Sequence, residues 1–150
     1  MSIEAVLTDE EATRLLEMIK KSLEKAITFP NKTEKVEFNA QGDSPRDMFS
    51  ISIFRGKINA TKYSYGARIS KNGIVLLALD INKTGKHRNP DGTIIEGSHW
   101  HIYTSEHGRS FAIPAADIDD ANFIENTMLF FRKFNLVNPP LVSYQVELKL

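Results

Sequence analysis

The chain of 150 residues contains no cysteine. Disulfide bonds, thiolate metal ligands and a cysteine nucleophile are therefore excluded. No apolar run approaches the length that a membrane-spanning helix needs. The acidic first segment, MSIEAVLTDEEA, lacks the basic start and apolar core of a signal peptide. We therefore expect a cytoplasmic protein that does not associate with membranes.

The sequence also lacks the local motifs of several large enzyme classes. It has no Walker motif, no dinucleotide-binding fingerprint, no Gly-x-Ser-x-Gly elbow and no His-Glu-x-x-His helix. The length suits one domain covering residues 1–150, and the fractions of hydrophobic and charged residues, 41% and 25%, are those of a globular protein. Any active site must therefore be recognised from scattered side chains.

The hydrophobic pattern predicts an α+β fold, with an antiparallel sheet of about five to six strands flanked by an N-terminal and a C-terminal helix. Thr8 and Glu11 have the spacing of a capping box, and leucines and isoleucines then recur at helical spacing as far as Ile27. Three aspartates are candidate N-caps of the second, phenylalanine-rich helix, namely Asp117, Asp119 and Asp120.

Alternating or continuous apolar segments predict the strands, which lie at residues 36–40, 48–55, 59–69, 74–81, 98–104 and 109–113. Asn72-Gly73 is a typical hairpin turn. Residues 82–97 are rich in Gly, Asn, Pro and Asp, so they predict a long loop. Residues 141–150 alternate again, and they are expected to pair with their own sheet or with a second copy in a homodimer.

All four histidines lie in one short window, at His87, His99, His101 and His107. Side chains at positions i and i+2 of a strand share a face, so His99, His101 and Tyr103 are expected to form one row. The surrounding residues 55–109 carry 9 Lys+Arg against 4 Asp+Glu, a net charge of +5. A local positive field of this kind favours phosphate or an acidic partner.

The histidine row is typical of acid–base chemistry, because imidazole titrates near neutral pH. Cleavage of RNA by its own 2′-hydroxyl needs a base, an acid and cations for the phosphorane charge, but no metal. We therefore predict a metal-independent endoribonuclease without a cofactor. His99 and His101 would exchange protons, Tyr103 would donate to a phosphate oxygen, and Arg88 and Arg109 would clamp phosphate.

Basic residues near strand tyrosines are candidate RNA contacts, namely Lys57, Lys62, Arg68 and Lys86. Tyr63 and Tyr65 would then stack on bases, and the alternative for both rings is cross-strand packing. Glu106 or Asp91 is expected to orient an imidazole of the row.

Two other functions fit the same residues. The first alternative is a non-enzymatic inhibitor that binds a nucleic-acid-targeting defence complex, of the anti-CRISPR type. The second is a metal-dependent hydrolase, because His99-x-His101 on a strand can chelate one ion, and Glu106 completes the spacing of the first cupin motif. The later histidine and the glycines of the cupin pattern are missing.

Residues 89–114, NPDGTIIEGSHWHIYTSEHGRSFAIP, are followed by a phenylalanine-rich helix that ends in Asn-Leu-Val-Asn-Pro. This block covers about a sixth of the chain. It resembles a small family of uncharacterised bacterial proteins that are associated with prophages and mobile elements and often lie near toxin–antitoxin genes. The resemblance implies a role in host–phage conflict, for example as a ribonuclease toxin, with RNA, an antitoxin protein or a nucleic-acid-associated complex as the partner.

Overall fold

The computed structural model describes residues 6–29, 34–55, 62–116 and 118–144. Two helices lie in these ranges, α1 (Asp9–Glu17) and α2 (Phe123–Lys133). The strands are, in chain order, β1 (Lys20–Ser22), β2 (Ala26–Phe29), β3 (Glu34–Gln41), β4 (Met48–Arg55), β5 (Tyr63–Ile69), β6 (Val75–Ile81), β7 (Lys86–Arg88), β8 (Ile94–Glu96), β9 (His99–Ile102), β10 (Ala112–Pro114), β11 (Leu136–Asn138) and β12 (Leu141–Tyr144).

Eight strands form one sheet in the order β10-β9-β6-β5-β4-β3-β1-β11. Neighbours in this sheet are antiparallel except β1 and β11, which are parallel. The predicted α+β class is confirmed, but the sheet is larger than the expected five to six strands. The additional strands β1 and β11 have three residues each, which is too short for a visible alternation, and β10 is the strand expected at residues 109–113, shifted to Ala112–Pro114.

The N-terminal helix is shorter than predicted. Its capping box is confirmed, since the Glu11 amide donates to Thr8 Oγ1 and the Thr8 amide donates to Glu11 Oε1. The helix ends at Glu17 rather than near Ile27, and β1 and β2 follow. The residues beyond this end pair instead as β1 with β3 and β11, and the buried Nζ of Lys20 donates to the carbonyls of Leu16 and Phe134 at 2.9 Å each. This contact connects the end of α1 to the end of α2.

The second helix begins at an unexpected residue. Its N-cap is Asn122, whose side chain accepts from the Glu125 amide. Asp119 caps the preceding turn by accepting from the Ala121 amide, and Asp117 lies outside the described residues. The predicted last strand is present in its first four residues, because β12 pairs in parallel with β2, while residues 145–150 lie outside the described part.

One face of the sheet packs against α2 and forms the core. Phe131 meets Phe38 edge-on at 5.7 Å between ring centroids, and Phe130 stacks on Trp100 at 6.3 Å. Tyr63 and Tyr65 are buried on the same face, and the Tyr65 hydroxyl lies 2.7 Å from Thr127 Oγ1. The packing alternative for the two tyrosines is therefore confirmed, and they are not exposed for base stacking. Neither helix of the described residues is long and apolar enough to cross a bilayer.

The opposite face, here called the open face, is built mainly from small and polar residues. Across four strands, the register aligns Phe54 with Ser64, Ser64 with Asp80, and Asp80 with His99. In the neighbouring row of the open face, Ala78 of β6 is paired with His101 of β9. Because side chains alternate along β9, both histidines lie on the open face and Trp100 lies on the core face. This part of the strand prediction is confirmed.

A short hairpin, β7–β8, lies beside the histidine end of the open face, where the sequence predicted a loop. Asn89 fixes it, since its Oδ1 accepts from the Ala112 amide at 2.7 Å and its Nδ2 donates to the Ala112 carbonyl at 2.9 Å. Both groups of Asn89 are thus used to hold the hairpin against β10. The hairpin carries His87 into contact with β9, where its ring lies 5.3 Å from that of His99.

Candidate metal centre

Three of the four histidines meet at the end of the open face. His99 and His101 come from β9, and His87 comes from the β7–β8 hairpin. The ring of His101 lies 4.9 Å from each of the other two rings, and one ring nitrogen of each histidine lies within 4.8 Å of the others. His99 and His101 are only 6% and 5% exposed, and His87 is half-buried. This set is called the histidine cluster below.

Each ring of the cluster has one nitrogen bound to a backbone carbonyl. His99 Nδ1 lies 2.9 Å from the Gly97 oxygen, and His101 Nδ1 lies 2.7 Å from the Arg109 oxygen. His87 Nε2 lies 2.8 Å from the oxygen of Ser110. A carbonyl can only accept, so each of these nitrogens carries a hydrogen and donates it. The second nitrogen of each neutral ring therefore keeps its lone pair.

A carboxylate lies against two of these lone pairs. Asp80 Oδ2 is 3.2 Å from Nε2 of His99 and 3.2 Å from Nε2 of His101. Two imidazole lone pairs facing one carboxylate oxygen would repel it, so positive charge is needed at this point. The charge can come from a second proton on each ring or from a cation among the three groups.

The environment keeps Asp80 ionised. Burial raises the pKa of its carboxyl group, but the hydrogen bond from His101 and the positive charges that His101 and His99 carry when protonated, together with that of Arg109, outweigh burial, and the pKa then lies below its usual value. The side chain remains 35% exposed. Asp80 is therefore an anion that reaches both the histidines and the solvent.

The geometry suits a metal ion. In a tetrahedral site with zinc–nitrogen bonds of about 2.0–2.1 Å, neighbouring ligand atoms lie about 3.3–3.4 Å apart. One nitrogen of each of the three rings lies within 4.8 Å of the others, so the rings would close by up to about 1.5 Å around such an ion. Metal-binding histidines also typically donate their other ring N–H to a carbonyl or carboxylate, which fixes the ring. All three rings of the histidine cluster have this arrangement.

A cleft of about 380 Å³ opens beside the histidine cluster. Asp80, His87 and His99 line one part of it, and Lys62 and Lys86 line another. A small molecule in this cleft would therefore contact the carboxylate and two of the three imidazoles.

The structure separates the remaining residues of the predicted catalytic set. The Tyr103 hydroxyl accepts from the Leu7 amide at 2.9 Å and donates to the Leu7 carbonyl at 3.1 Å, so it anchors the segment before α1. Arg109 lies at the cluster, where its carbonyl binds His101 and its charge helps to keep Asp80 ionised. Arg88 is exposed on β7.

The predicted RNA-binding residues are also divided. Lys62 and Lys86 line the cleft, and Lys86 lies 3.6 Å from Glu96. Arg68 lies on the open face and forms an ion pair of 2.7 Å with Glu37. Lys57 lies outside the described residues.

Asp80 and the role of His87 in the cluster were not predicted from the sequence, where the expectation for orienting an imidazole fell on other acids. Glu106 or Asp91 was expected to orient an imidazole of the row. Instead, Asp91 accepts from the Thr93 amide within its own turn, and Glu106 lies 3.6 Å from His107. A signal for Asp80 was present, because it is the single charged residue in the apolar segment VLLALDI of β6. An acid in a strand expected to be covered on both faces needs a partner.

The chain belongs to DUF6978, a family of unknown function, whose model matches residues 7–136. The match includes Asp80, the β7–β8 hairpin and the whole histidine cluster. No curated protein and no solved structure matches the chain.

Proposed function

We propose that His87, His99 and His101 bind a divalent transition metal ion, and that this centre catalyses hydrolysis of a ligand in the adjoining cleft. One observation supports the proposal above all others. Three clustered imidazoles each use one nitrogen to donate to a backbone carbonyl, which leaves three lone pairs beside the Asp80 carboxylate to bind a cation. In this arrangement His99 and His101 would bind through Nε2, and His87 through Nδ1.

A metal ion accounts for these contacts better than extra protons do. Protonation of His99 and His101 would place two positive rings 4.9 Å apart in a buried position, and it would leave the lone pair of His87 unused. A divalent ion would use all three lone pairs at once. The Asp80 carboxylate would then offset part of the ion's charge.

The open side of the site supports a catalytic rather than a purely structural centre. Three protein nitrogens would leave a four-coordinate ion one open position, where the ion would activate a water molecule. Asp80 is partly exposed beside the cleft, so its carboxylate would accept a hydrogen bond from such a water molecule and orient it. The positive charge of Arg109 lowers the pKa of Asp80, and we assign Arg109 a positioning role.

The metal-independent ribonuclease and the non-enzymatic inhibitor stay predictions. In the ribonuclease mechanism, His99 or His101 must exchange a proton with RNA, yet both rings are buried and both nitrogens of each ring contact a protein oxygen. The geometry therefore favours the hydrolase with a metal. RNA remains a candidate substrate for such an enzyme.

Cobalt substitution combined with an RNA cleavage assay tests this proposal. The EDTA-treated protein should bind Co²⁺ with the strong visible absorption of a four-coordinate site, and His87→Ala should lose it. His107→Ala is the matched control, because this histidine stacks on Phe111 outside the cluster. Hydrolysis of RNA or of another phosphoester should then require the ion. RNA cleavage that continues unchanged in EDTA would instead support the metal-independent mechanism.

A further inference from the structure

We infer that the cleft beside the histidine cluster binds a nucleoside phosphate, with the base against Phe54 and the phosphate between the two cleft lysines and the cluster. This inference rests on the proposed function, because it places a phosphoester next to the metal centre. The shared chemistry is one nucleotide unit, which a free nucleotide or a single-stranded nucleic acid can supply. It narrows the phosphoester substrate of the proposed function to a nucleotide unit.

The first observation is the row Phe54, Ser64, Asp80 and His99, which crosses four neighbouring strands on the open face. Neighbouring strands lie about 4.7–4.9 Å apart, so Phe54 is about 10 Å from Asp80 and about 14 Å from His99. A single nucleotide can reach from Phe54 to the Asp80 side of the cluster. All four residues line the same cleft.

The second observation is the exposure of Phe54. Phe54 is 45% exposed, whereas its neighbour Ile53 on the core face is fully buried. Phe54 lies on a face where the adjacent positions are Ser52 and Ser64, so no apolar cluster of the sheet requires an aromatic ring there. An exposed aromatic ring on a sheet is a suitable stacking surface for a base of any sequence.

The third observation is the charge of the cleft. Lys62 and Lys86 are basic, and Asp80 is the one acidic residue among the lining residues, where it already contacts two histidines. Lys86 lies 3.6 Å from Glu96, but both side chains are more than two-thirds exposed, so the pair is weak and Lys86 can turn towards a phosphate. The cleft volume of about 380 Å³ also lies within the range of small-molecule sites.

Calorimetric titrations with AMP, adenosine and inorganic phosphate test the inference on the zinc-loaded and the EDTA-treated protein. AMP should bind more tightly than either part alone. Phe54→Ala should weaken AMP binding by about tenfold without changing phosphate binding. The double substitution of Lys62→Gln and Lys86→Gln should remove the preference for AMP over adenosine. Ile113→Ala and Lys71→Gln are the matched controls, since Ile113 is an exposed strand residue outside the cleft lining and Lys71 lies in an exposed turn.

Two further arms complete the test. Nucleic acid is the source of the nucleotide unit if a single-stranded oligonucleotide binds far more tightly than AMP and this binding depends on Phe54. A free nucleotide is the source if AMP binds more tightly than the oligonucleotide. Equal binding of AMP, adenosine and phosphate, or AMP binding that is unchanged in Phe54→Ala, overturns the inference. Zinc uptake is measured on the same samples. Zinc binding without specific AMP binding would overturn this inference and leave the proposed metal centre supported. Conversely, AMP binding without zinc uptake contradicts the proposed function alone.

Discussion

Lys20 makes the stability of this protein depend on pH in a way that can be calculated. Its ammonium group is fully buried, donates to the carbonyls of Leu16 and Phe134, and lies 3.8 Å from the centroid of the Phe134 ring. Burial lowers the pKa of Lys20 from 10.5 to about 7, against the opposing charge of Asp43. In the unfolded chain the pKa returns to its ordinary value of about 10.4.

The sign of the effect follows from proton counting. Between about pH 7 and pH 10, the unfolded chain holds a proton on Lys20 that the folded protein has released. The free energy of unfolding therefore rises with pH in this window, and the rise stops above the unfolded pKa. Each pH unit contributes up to about 1.4 kcal/mol, so the gain from pH 7.5 to pH 9.5 is about 2 kcal/mol. A neutral amine keeps two N–H donors, which is enough for both carbonyls.

Urea denaturation at pH 7.5 and pH 9.5 measures this gain. The wild-type protein should gain about 2 kcal/mol, and Lys20→Met should remove most of the difference between the two pH values. Lys21→Met is the control, since its side chain is exposed on the same strand. Equal gains in wild type and Lys20→Met would refute the reasoning, because the pH dependence would then come from other groups.

Three further substitutions test individual contacts. Asp80→Asn should fold without metal at least as stably as wild type, because an amide N–H can donate to an imidazole lone pair, but zinc binding should weaken about 10–100-fold by calorimetry. Asn89→Ala should lower zinc affinity about tenfold although Asn89 touches no histidine, because the β7–β8 hairpin loses both hydrogen bonds to Ala112. Unchanged zinc affinity would show that other contacts hold the hairpin. Tyr103→Phe should lower the free energy of unfolding by about 1–2 kcal/mol, measured by thermal unfolding, and leave the rate of hydrolysis per folded molecule unchanged. Loss of hydrolysis with normal stability would instead support the catalytic role predicted from the sequence.

The sequence predicted those features that depend on neighbouring residues. The period of two along β9 places His99 and His101 on one face and Trp100 on the other. The reciprocal contacts of Thr8 and Glu11 follow from their spacing alone. In the same way, Asn72-Gly73 forms its turn, with Gly73 at a φ of 75°.

The features that sequence reasoning missed depend on distant contacts. Strands β7 and β8 have three residues each, and Asn89 holds them through Ala112, which lies 23 positions away. No local pattern reveals that this hairpin carries His87 to β9. Beyond the early end of α1, β1 likewise pairs with the distant strands β3 and β11, and Lys20 donates to Phe134, which is 114 positions away. The third member of the cluster and the length of the first helix therefore required the tertiary structure.

Zinc titration of the EDTA-treated protein by calorimetry tests the central claim most directly. We predict one Zn²⁺ ion per chain, loss of that binding in His101→Ala, and retention of it in His107→Ala. Both variants should first be shown to fold by circular dichroism. Failure of the folded wild-type protein to bind Zn²⁺, Co²⁺, Ni²⁺ or Mn²⁺, or zinc binding that persists when His87, His99 and His101 are all replaced by alanine, would contradict the account.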